Sequence, residues 1–535
     1  MKLLNINEVA KKANIDESYV EPYGKDKAKI DLSIFNSLKD KKDGKLVLVT
    51  AITPTKVGEG KTTMSIALHD GLNKIGQSSL LCLREPSLGP VFGLKGGATG
   101  GGLASIEPSE DINLHFTGDM HALTSSINLI SAIIDNHIFQ GNELNIDPNK
   151  IVWKRAMDMN DRSLREIEIA LGNKNGTPRK DGFVITVASE LMAVLCLSTS
   201  EEDFKNRLNK ILVAYTFDDK PIYVKDLHIS NAILKLMKQA LKPNLVQTLE
   251  NNPVLVHGGP FANIAHGCNS ILALKLALKL KDIVITEAGF GADLGAEKFL
   301  DIASPSGNLT PNAVVLVATI KALKLHGGQP FEELSKLNIE ALSKGIENLK
   351  IHLENIQKYH LPVMVAINHF ASDHDEEIEY LSKWCKEHNY MVSFVDSFVK
   401  GSDGAIDFAN KVVELLKEES HYQKLYNYEL PIEEKINIIA KEIYRAKDVE
   451  FTPLAMEKIK KYTELGYGNL PVCIAKTPLS LSDSPKISGI ITGHTLHIKD
   501  INISSGAGFV VALSGNIMTM PGLPKIPNAV KIEEE

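Results

Sequence analysis

Cysteine is scarce in this sequence, and no two cysteines lie at a short spacing. The chain has five, Cys82, Cys196, Cys268, Cys385 and Cys473, and no C-x-x-C pair. An odd, scattered set of this kind argues against a disulfide framework and against a zinc site. We therefore predict reduced thiols in a cytoplasmic protein.

Long hydrophobic runs and a leader peptide are missing as well. Apolar runs such as Ala313–Ala318 and Leu361–Ile367 have the length of a strand, whereas a membrane-spanning helix needs about 20 apolar residues. Residues 1–16 mix Lys, Asn, Glu and Asp and lack the apolar core of a signal peptide. These absences predict a protein with no membrane partner.

The sequence also lacks a strong excess of either charge. Among 535 residues, 23% are charged and the formal net charge is −7, with acids and bases interspersed. That balance argues against a protein whose main task is to bind nucleic acid. Because one hydrophobic core seldom serves so long a chain, we expect several domains.

What the sequence does contain is an alternation of short β-branched runs and longer amphipathic stretches. The predicted strands are Lys45–Ala51, Ser79–Leu83, Val184–Val187, Leu212–Tyr215, Val254–His257, Ile283–Thr286, Ala313–Ala318, Pro362–Ile367 and Met391–Val395. The predicted helices are Thr62–Ile75, Asn263–Leu280, Pro330–His352, Asp375–Asn389 and Ala405–Glu418. This alternation predicts an α/β fold with a doubly wound, mostly parallel sheet. We expect a main domain over residues 1–345 and two smaller α/β domains over residues 346–430 and 431–535.

A glycine-containing loop joins the first of these strands to the first helix. It reads Thr53-Pro54-Thr55-Lys56-Val57-Gly58-Glu59-Gly60-Lys61-Thr62-Thr63, and Thr55 stands where the common G-x-x-x-x-G-K-[ST] pattern has its first glycine. Gly58 and Gly60 still allow backbone N–H groups to turn towards an anion, and the helix start adds free amides. We predict a P-loop-type nucleotide site, called here the phosphate loop. The alternative is a plain glycine-rich turn.

Within the phosphate loop, the residue types suggest separate tasks. Lys61 is expected to reach the β- and γ-phosphates of ATP, and the Thr62 hydroxyl is expected to ligate Mg²⁺. The further nucleotide contacts that we predict are Thr55, Gly58, Glu59, Gly60 and Thr63. The loop alone does not separate a ligase from a nucleotide-switch ATPase.

Reactive side chains also follow the second predicted strand. Arg84 and Glu85 come directly after Ser79–Leu83, and the glycine cluster Gly93–Gly102 comes next. In open α/β sheets, ligands bind at the carboxyl ends of the strands. The segment Asp111–His121 then supplies several groups that can transfer protons.

Over nearly its whole length the sequence resembles the formate–tetrahydrofolate ligase family, as a divergent member. Gly93–Gly102 and Val317–Gly328 look like that family's signatures, and Phe116–Asp119 and His257–Ser270 match as well. The resemblance implies an ATP-dependent carbon–nitrogen ligase of one-carbon metabolism that makes 10-formyltetrahydrofolate by way of formyl phosphate. It further implies ATP, Mg²⁺ and a monovalent cation, K⁺ or NH₄⁺, as cofactors, and a homotetramer.

The same resemblance implies roles for individual residues. Arg84 matches the arginine that holds formyl phosphate, a task for which a planar guanidinium is suited. Asp119 matches an active-site aspartate and is the candidate acceptor of the amine proton, with Glu85 expected to face the acceptor. Lys95 is expected to be among the cofactor-binding residues. The folate pocket is expected in residues 346–430, where Phe370 and Phe398 would hold the pterin.

Structural alternatives stand beside these roles. Arg84 could be a strand-end salt-bridge partner, Asp119 a turn residue that satisfies backbone donors, and Lys95 a residue that shapes its loop. Phe370 and Phe398 could pack in the core. Phe398 also stands where the family usually has Trp, so a ligase with another amine acceptor is the second hypothesis.

Overall fold

The computed structural model describes residues 2–56, 58–487 and 489–532, and a twelve-stranded sheet lies at its centre. In chain order the strands are β1 Val20–Tyr23, β2 Lys27–Ile30, β3 Lys45–Ala51, β4 Ser79–Leu83, β5 Gly100–Gly101, β6 Ala104–Glu107, β7 Asn244–Thr248, β8 Pro253–Val256, β9 Ile283–Glu287, β10 Pro311–Ala318, β11 Val363–Asn368 and β12 Met391–Val395. Their order across the sheet is β1-β2-β7-β8-β4-β9-β3-β10-β11-β12, and β6 attaches at β7 and carries β5.

The strands from β8 to β12 in this order are parallel to one another. Parallel pairing runs from β8 to β4, then through β9, β3 and β10, and on to β11 and β12. β1, β2 and β7 extend the sheet with antiparallel pairs. The predicted mostly parallel α/β sheet is confirmed.

Both faces of the sheet are buried, because successive residues of β3 point to opposite sides. Leu46 and Leu48 belong to one hydrophobic core, and Val47 and Val49 belong to the other. This is why the central strands read as continuous apolar runs instead of alternating ones. The doubly wound arrangement is therefore confirmed.

Helices cover the two faces. The longer helices are Lys61–Lys74, Asp119–Phe139, Glu190–Leu197, Glu201–Asn209, Ser230–Met237, Ile271–Leu280, Ile339–Gln357, Asp375–Glu387, Ile406–Leu415, Ile432–Glu442 and Pro453–Tyr462. The shorter ones are Ile6–Lys12, Ile34–Leu38, Leu88–Phe92, Ser109–Asn113, Ser304–Gly307, Ile320–His326 and Ser397–Lys400. Helices Lys61–Lys74 and Ile406–Leu415 pack on one face, and Ile271–Leu280 and Ile339–Gln357 pack on the other.

Small sheets lie outside the main one. Ile146–Ile151, Leu212–Thr216 and Pro221–Tyr223 form one, Ile167–Ile169 pairs with Arg179–Asp181, and Arg155–Met157 pairs with Phe183–Ile185. In the C-terminal third, Asp448–Phe451 pairs with Thr495–Ile498, while Val472–Ala475, Asp500–Ser504 and Phe509–Leu513 form a separate sheet.

Several predicted boundaries shift. The predicted helix Asn263–Leu280 begins only at Ile271, because Ser270 is extended and its hydroxyl caps the helix. The predicted strand Val184–Val187 is observed as Phe183–Ile185 and is followed by a 3₁₀ turn.

The predicted boundary between the first two domains does not coincide with an end of the main sheet. The boundary between residues 345 and 346 falls inside helix Ile339–Gln357, and β11 and β12 continue the main sheet beyond it. The sequence suggested a separate domain over residues 346–430 because a strand–helix pattern does not show whether its strand joins the main sheet or a second sheet. The roles of three domains stay a prediction.

Two further expectations concern the whole chain. All five cysteines are buried free thiols. Among the described residues, no helix combines the length and the apolar character that crossing a membrane requires.

Candidate active site

The carboxyl ends of the parallel strands bring the predicted site residues to one edge of the sheet. β3 leads into the phosphate loop, β4 leads into Arg84, and β9 ends at Glu287. Because β9 lies between β3 and β4, Glu287 stands between the phosphate loop and Arg84.

The phosphate loop has the backbone conformation that its glycines predict. Gly58 has φ of 81° and Gly60 has φ of 74°, and Gly60 caps helix Lys61–Lys74. A Cβ at Gly60 would lie 2.4 Å from Asn368 Nδ2. That amide donates to the carbonyl of Glu59 at 3.0 Å, so the end of β11 holds the loop in place.

The side chain of Glu59 turns back on the loop. Its carboxylate accepts from the backbone N–H of Thr55 at 2.7 Å and from the Thr55 hydroxyl at 3.2 Å. Burial raises the pKa of Glu59, while Lys61 and the Thr55 bonds act against that rise. Thr55 and Glu59 thus shape the loop, and Val57 of the same loop lies outside the described residues.

Glu287 links the two halves of the site. The Thr62 hydroxyl donates to Glu287 Oε2 at 2.9 Å. Arg84 Nη2 lies 4.0 Å from Glu287 Oε1, and the Glu287 side chain is only 6% exposed. Arg84 and Thr62, at the start of the helix, therefore both contact the carboxylate of Glu287.

Lys61 and Lys95 complete a group of cations around this carboxylate. Burial lowers the pKa of Lys61, Glu59 and Glu287 oppose that effect, and Arg84 adds to it. Lys95 lines a cavity and is exposed to that space, yet protein atoms around its ammonium lower its pKa to about 8, with Arg84 and Lys61 contributing. Arg84 thus acts on the pKa of both lysines, and such a gathering of positive charge favours an anionic ligand between them.

Arg84 keeps hydrogen-bonding capacity for such a ligand. Its Nη1 donates to the Pro260 carbonyl at 3.4 Å, whereas its buried Nε has no hydrogen-bond partner among the described residues. A Cβ at Gly289 would lie 2.9 Å from Arg84 Nη1, so glycine lets the guanidinium lie close to this backbone. A buried, unsatisfied donor of this kind is costly unless a ligand accepts from it.

A second buried network lies behind Arg84. Asp119 Oδ1 accepts from Lys29 Nζ at 2.5 Å, and Asp119 Oδ2 accepts from Asn244 Nδ2 at 2.9 Å. Burial, followed by the negative charge of Asp119, raises the pKa of Glu85 well above its ordinary value, which favours the protonated form of this carboxyl. Both Asp119 oxygens accept from side chains, not from the backbone donors that the structural alternative names, and its role as a proton acceptor stays a prediction.

A cavity of about 810 Å³ opens beside Arg84. Arg84, Lys95 and Phe290 contribute one part of its lining, and His497 and Met518 of the C-terminal third contribute another. Its volume lies within the range of about 300–1,000 Å³ that is usual for ligand pockets.

The two predicted pterin residues follow neighbouring strands at the same sheet edge. Phe370 comes two residues after β11 and Phe398 comes three after β12, and Asn368 pairs with Val395 in the register of these strands. Lys321 Nζ lies 4.8 Å from the centre of the Phe370 ring. Phe398 is 55% exposed, so a core-packing role does not describe it.

Comparison with known proteins decides the family. The family model described as formate–tetrahydrofolate ligase matches residues 1–535. A formate–tetrahydrofolate ligase of Thermosipho africanus (strain TCF52B) is 57% identical over 533 residues, which cover 99% of this chain and 96% of the relative. The chain belongs to the formate–tetrahydrofolate ligase family. The family predicted from the glycine cluster and the 317–328 segment is confirmed, and with it the enzyme class.

Membership of the formate–tetrahydrofolate ligase family leaves the individual site residues as predictions, but the structure adds one residue that the sequence analysis missed. Glu287 directly follows the predicted strand Ile283–Thr286, and it contacts both Thr62 and Arg84. An acidic residue at the carboxyl end of a buried strand was the available signal. Its partners depend on the order of the strands, which the sequence does not state.

Proposed function

We propose that this member of the family activates formate with ATP and transfers the formyl group to N10 of tetrahydrofolate, giving 10-formyltetrahydrofolate, ADP and phosphate. The observation that carries the proposal is the convergence of Lys61, Arg84 and Lys95 around Glu287, beside the phosphate loop. An anion-binding cluster next to a free donor on Arg84 suits a phosphorylated one-carbon acid.

The residues present fit a nucleotide with Mg²⁺. Thr62 Oγ1 and the Glu287 carboxylate lie 2.9 Å apart, and both are hard oxygen ligands. Mg²⁺ typically takes one or two protein oxygens and completes its shell with phosphate oxygens and water. Bound there, it would neutralise charge on the phosphate oxygens. The backbone amides at Gly58 and Gly60 would cradle the phosphates.

In the first step, a formate oxygen attacks the γ-phosphorus of ATP and ADP leaves, which gives formyl phosphate. Lys61 approaches the phosphoryl group from the phosphate loop, and Arg84 approaches it from the end of β4. Their fixed charges stabilise the transferring group without reorganisation during the reaction. The cavity beside Arg84 and Lys95 gives the bound molecules space.

In the second step, the N10 amine attacks the formyl carbon, phosphate leaves, and the amine loses a proton. Phe370 and Phe398 would flank the pterin, since rings beside a flat heterocycle contribute about 0.5–1.5 kcal/mol beyond their buried area. Asp119 is our proposed acceptor of that proton, with Glu85 facing the amine. Residues 346–430 would thereby supply the acceptor pocket, and residues 1–345 the nucleotide site.

The family resemblance adds a homotetramer and stimulation by K⁺ or NH₄⁺ to the proposal. The scattered cysteines add a cytoplasmic location, and the organisation of the sequence adds a C-terminal domain over residues 431–535. Sedimentation of the purified protein and a comparison of its rates in potassium, ammonium and tetramethylammonium salts would check the first two.

A single incubation tests the function. The purified protein is mixed with ATP, Mg²⁺, formate and tetrahydrofolate, and acidification converts the product to the methenyl chromophore. We expect a chromophore that requires all four components. Formate-dependent ADP release without a chromophore would instead indicate another amine acceptor, and ADP release without any need for formate would indicate a nucleotide switch.

Thr62→Ala tests the proposed magnesium site. Loss of even an outer-shell partner commonly costs 10–100-fold in metal affinity, so we expect the Mg²⁺ concentration for half-maximal activity to rise by at least about tenfold. Thr62→Ser keeps the hydroxyl and serves as the matched control. An unchanged Mg²⁺ requirement in Thr62→Ala would show that this hydroxyl does not contact the metal.

A further inference from the structure

The Phe398 ring is held by the glycine cluster on one side. Leu103 N–H donates to the Phe398 carbonyl at 2.9 Å. A Cβ at Gly102 would lie 2.2 Å from that carbonyl oxygen, and a Cβ at Gly101 would lie 2.9 Å from Phe398 Cε2. The two glycines thus let the backbone approach the ring and its carbonyl closely.

Glu250 holds the segment that follows Phe398. Its Oε1 accepts from the backbone N–H of Ser402 at 2.7 Å. Gly401 has φ of 57°, and a Cβ there would lie 2.6 Å from the same Oε1. Glycine at 401 therefore makes room for the carboxylate, and a bond between an ionised acceptor and a backbone donor is among the stronger hydrogen bonds.

Hydrogen bonds attach the turn that carries Glu250 to helix Lys61–Lys74, which begins at the phosphate loop. Asp70, buried in that helix, accepts from the Thr248 hydroxyl and from Asn252 Nδ2, both at 2.7 Å. Leu249 N–H donates to the Ser105 carbonyl at 3.0 Å, which ties the same turn to β6 beyond the glycine cluster. Glu250 consequently projects from a turn that is fixed at both ends.

We propose that Glu250 is a positioning residue that sets the place of the Phe398 ring relative to the glycine cluster, and thereby the affinity for the acceptor. The inference rests on the proposed function, in which Phe398 contacts the pterin. The ring contacts the glycine cluster on one side, and more than half of the Phe398 residue surface is open to solvent. The backbone of the segment therefore helps to set the position of the ring, and Leu103 and Glu250 hold that segment from two directions.

Glu250→Ala is the direct test. Removing a hydrogen bond to a charged group should raise the KM for tetrahydrofolate about tenfold, with the KM values for ATP and formate unchanged. Glu250→Gln retains an oxygen that can accept from Ser402 and should restore most of the affinity. Glu250→Asp, which withdraws the carboxylate by one methylene, should behave like Glu250→Ala and serves if the alanine variant does not fold.

A double-substitution cycle separates positioning from general stability. If Glu250 acts through Phe398, the tetrahydrofolate KM of the Glu250→Ala, Phe398→Ala double variant should equal that of Phe398→Ala alone. Asp226→Ala is the matched control, since Asp226 likewise accepts from a backbone N–H, that of Tyr223 at 2.8 Å, in a different part of the fold. It should leave the tetrahydrofolate KM unchanged.

Each outcome has a defined meaning. Additive effects in the cycle, or equal rises in KM for all three substrates, would overturn the positioning role while wild-type formyl transfer stands. Absence of the methenyl chromophore with the wild-type protein would instead overturn the proposed function, and this inference with it.

Discussion

Replacing Arg84 with alanine is expected to lower the rate of formate-dependent phosphoryl transfer by about 10²–10³, the usual cost of removing one preorganised charge-stabilising donor. The guanidinium lies 4.0 Å from Glu287 and keeps a buried Nε without a partner among the described residues. The loss should appear in kcat rather than in ATP binding, because the phosphate loop is untouched.

The measurement for Arg84→Ala is formate-dependent positional isotope exchange in ATP, in the absence of tetrahydrofolate. Reversible formyl phosphate formation moves ¹⁸O from the β,γ-bridge of ATP into the β-nonbridging positions. The control is Arg445→Ala, which should exchange normally. Arg445 Nη2 pairs with Glu354 Oε2 at 2.8 Å, and Arg445 does not line the cavity. Normal exchange in Arg84→Ala would assign Arg84 to the salt-bridge alternative.

Lys61→Ala is expected to lower kcat/KM for ATP by about 10³, a loss at least as large as that of Arg84→Ala. The substitution removes a positive charge that would contact both the bound nucleotide and the transferring phosphoryl group. Its pKa is lowered by burial and by Arg84, yet Glu59 and Glu287 favour the charged form. Both nucleotide affinity and isotope exchange should fall, which distinguishes this variant from Arg84→Ala.

The control for Lys61 is Lys344→Ala. Lys344 pairs with Glu340 at 2.7 Å on an exposed helix face, and surface pairs of this kind contribute about 0–1 kcal/mol to stability. It should leave ATP affinity unchanged. Full ATP affinity in Lys61→Ala would mean that the glycine-containing loop is only a turn between strand and helix.

Much of the fold follows from local sequence. The predicted strands Lys45–Ala51, Ser79–Leu83 and Met391–Val395 coincide with β3, β4 and β12, because dense apolar runs with polar ends mark strands buried on both faces. The start of helix Lys61–Lys74 follows from the glycines before it. These features depend on neighbours in the sequence.

The parts that could not be predicted depend on strand order. β9 lies between β3 and β4 although it is far from both in the sequence, and only this order gives Glu287 its contacts with Thr62 and Arg84. The bond between Glu250 and Ser402 and the pair of Lys29 with Asp119 likewise join distant segments. No periodicity or spacing in the sequence reports such contacts.

A crystal structure of the protein with MgATP and formate, in the absence of tetrahydrofolate, tests most directly whether Lys61 and Arg84 act on one phosphoryl group. We expect the phosphorus-bound oxygens of the transferring group to lie within about 3 Å of both Lys61 Nζ and the Arg84 guanidinium, with formate or its acyl phosphate between them. A phosphoryl group bound by Lys61 alone, with Arg84 paired only to Glu287, would contradict the proposed mechanism.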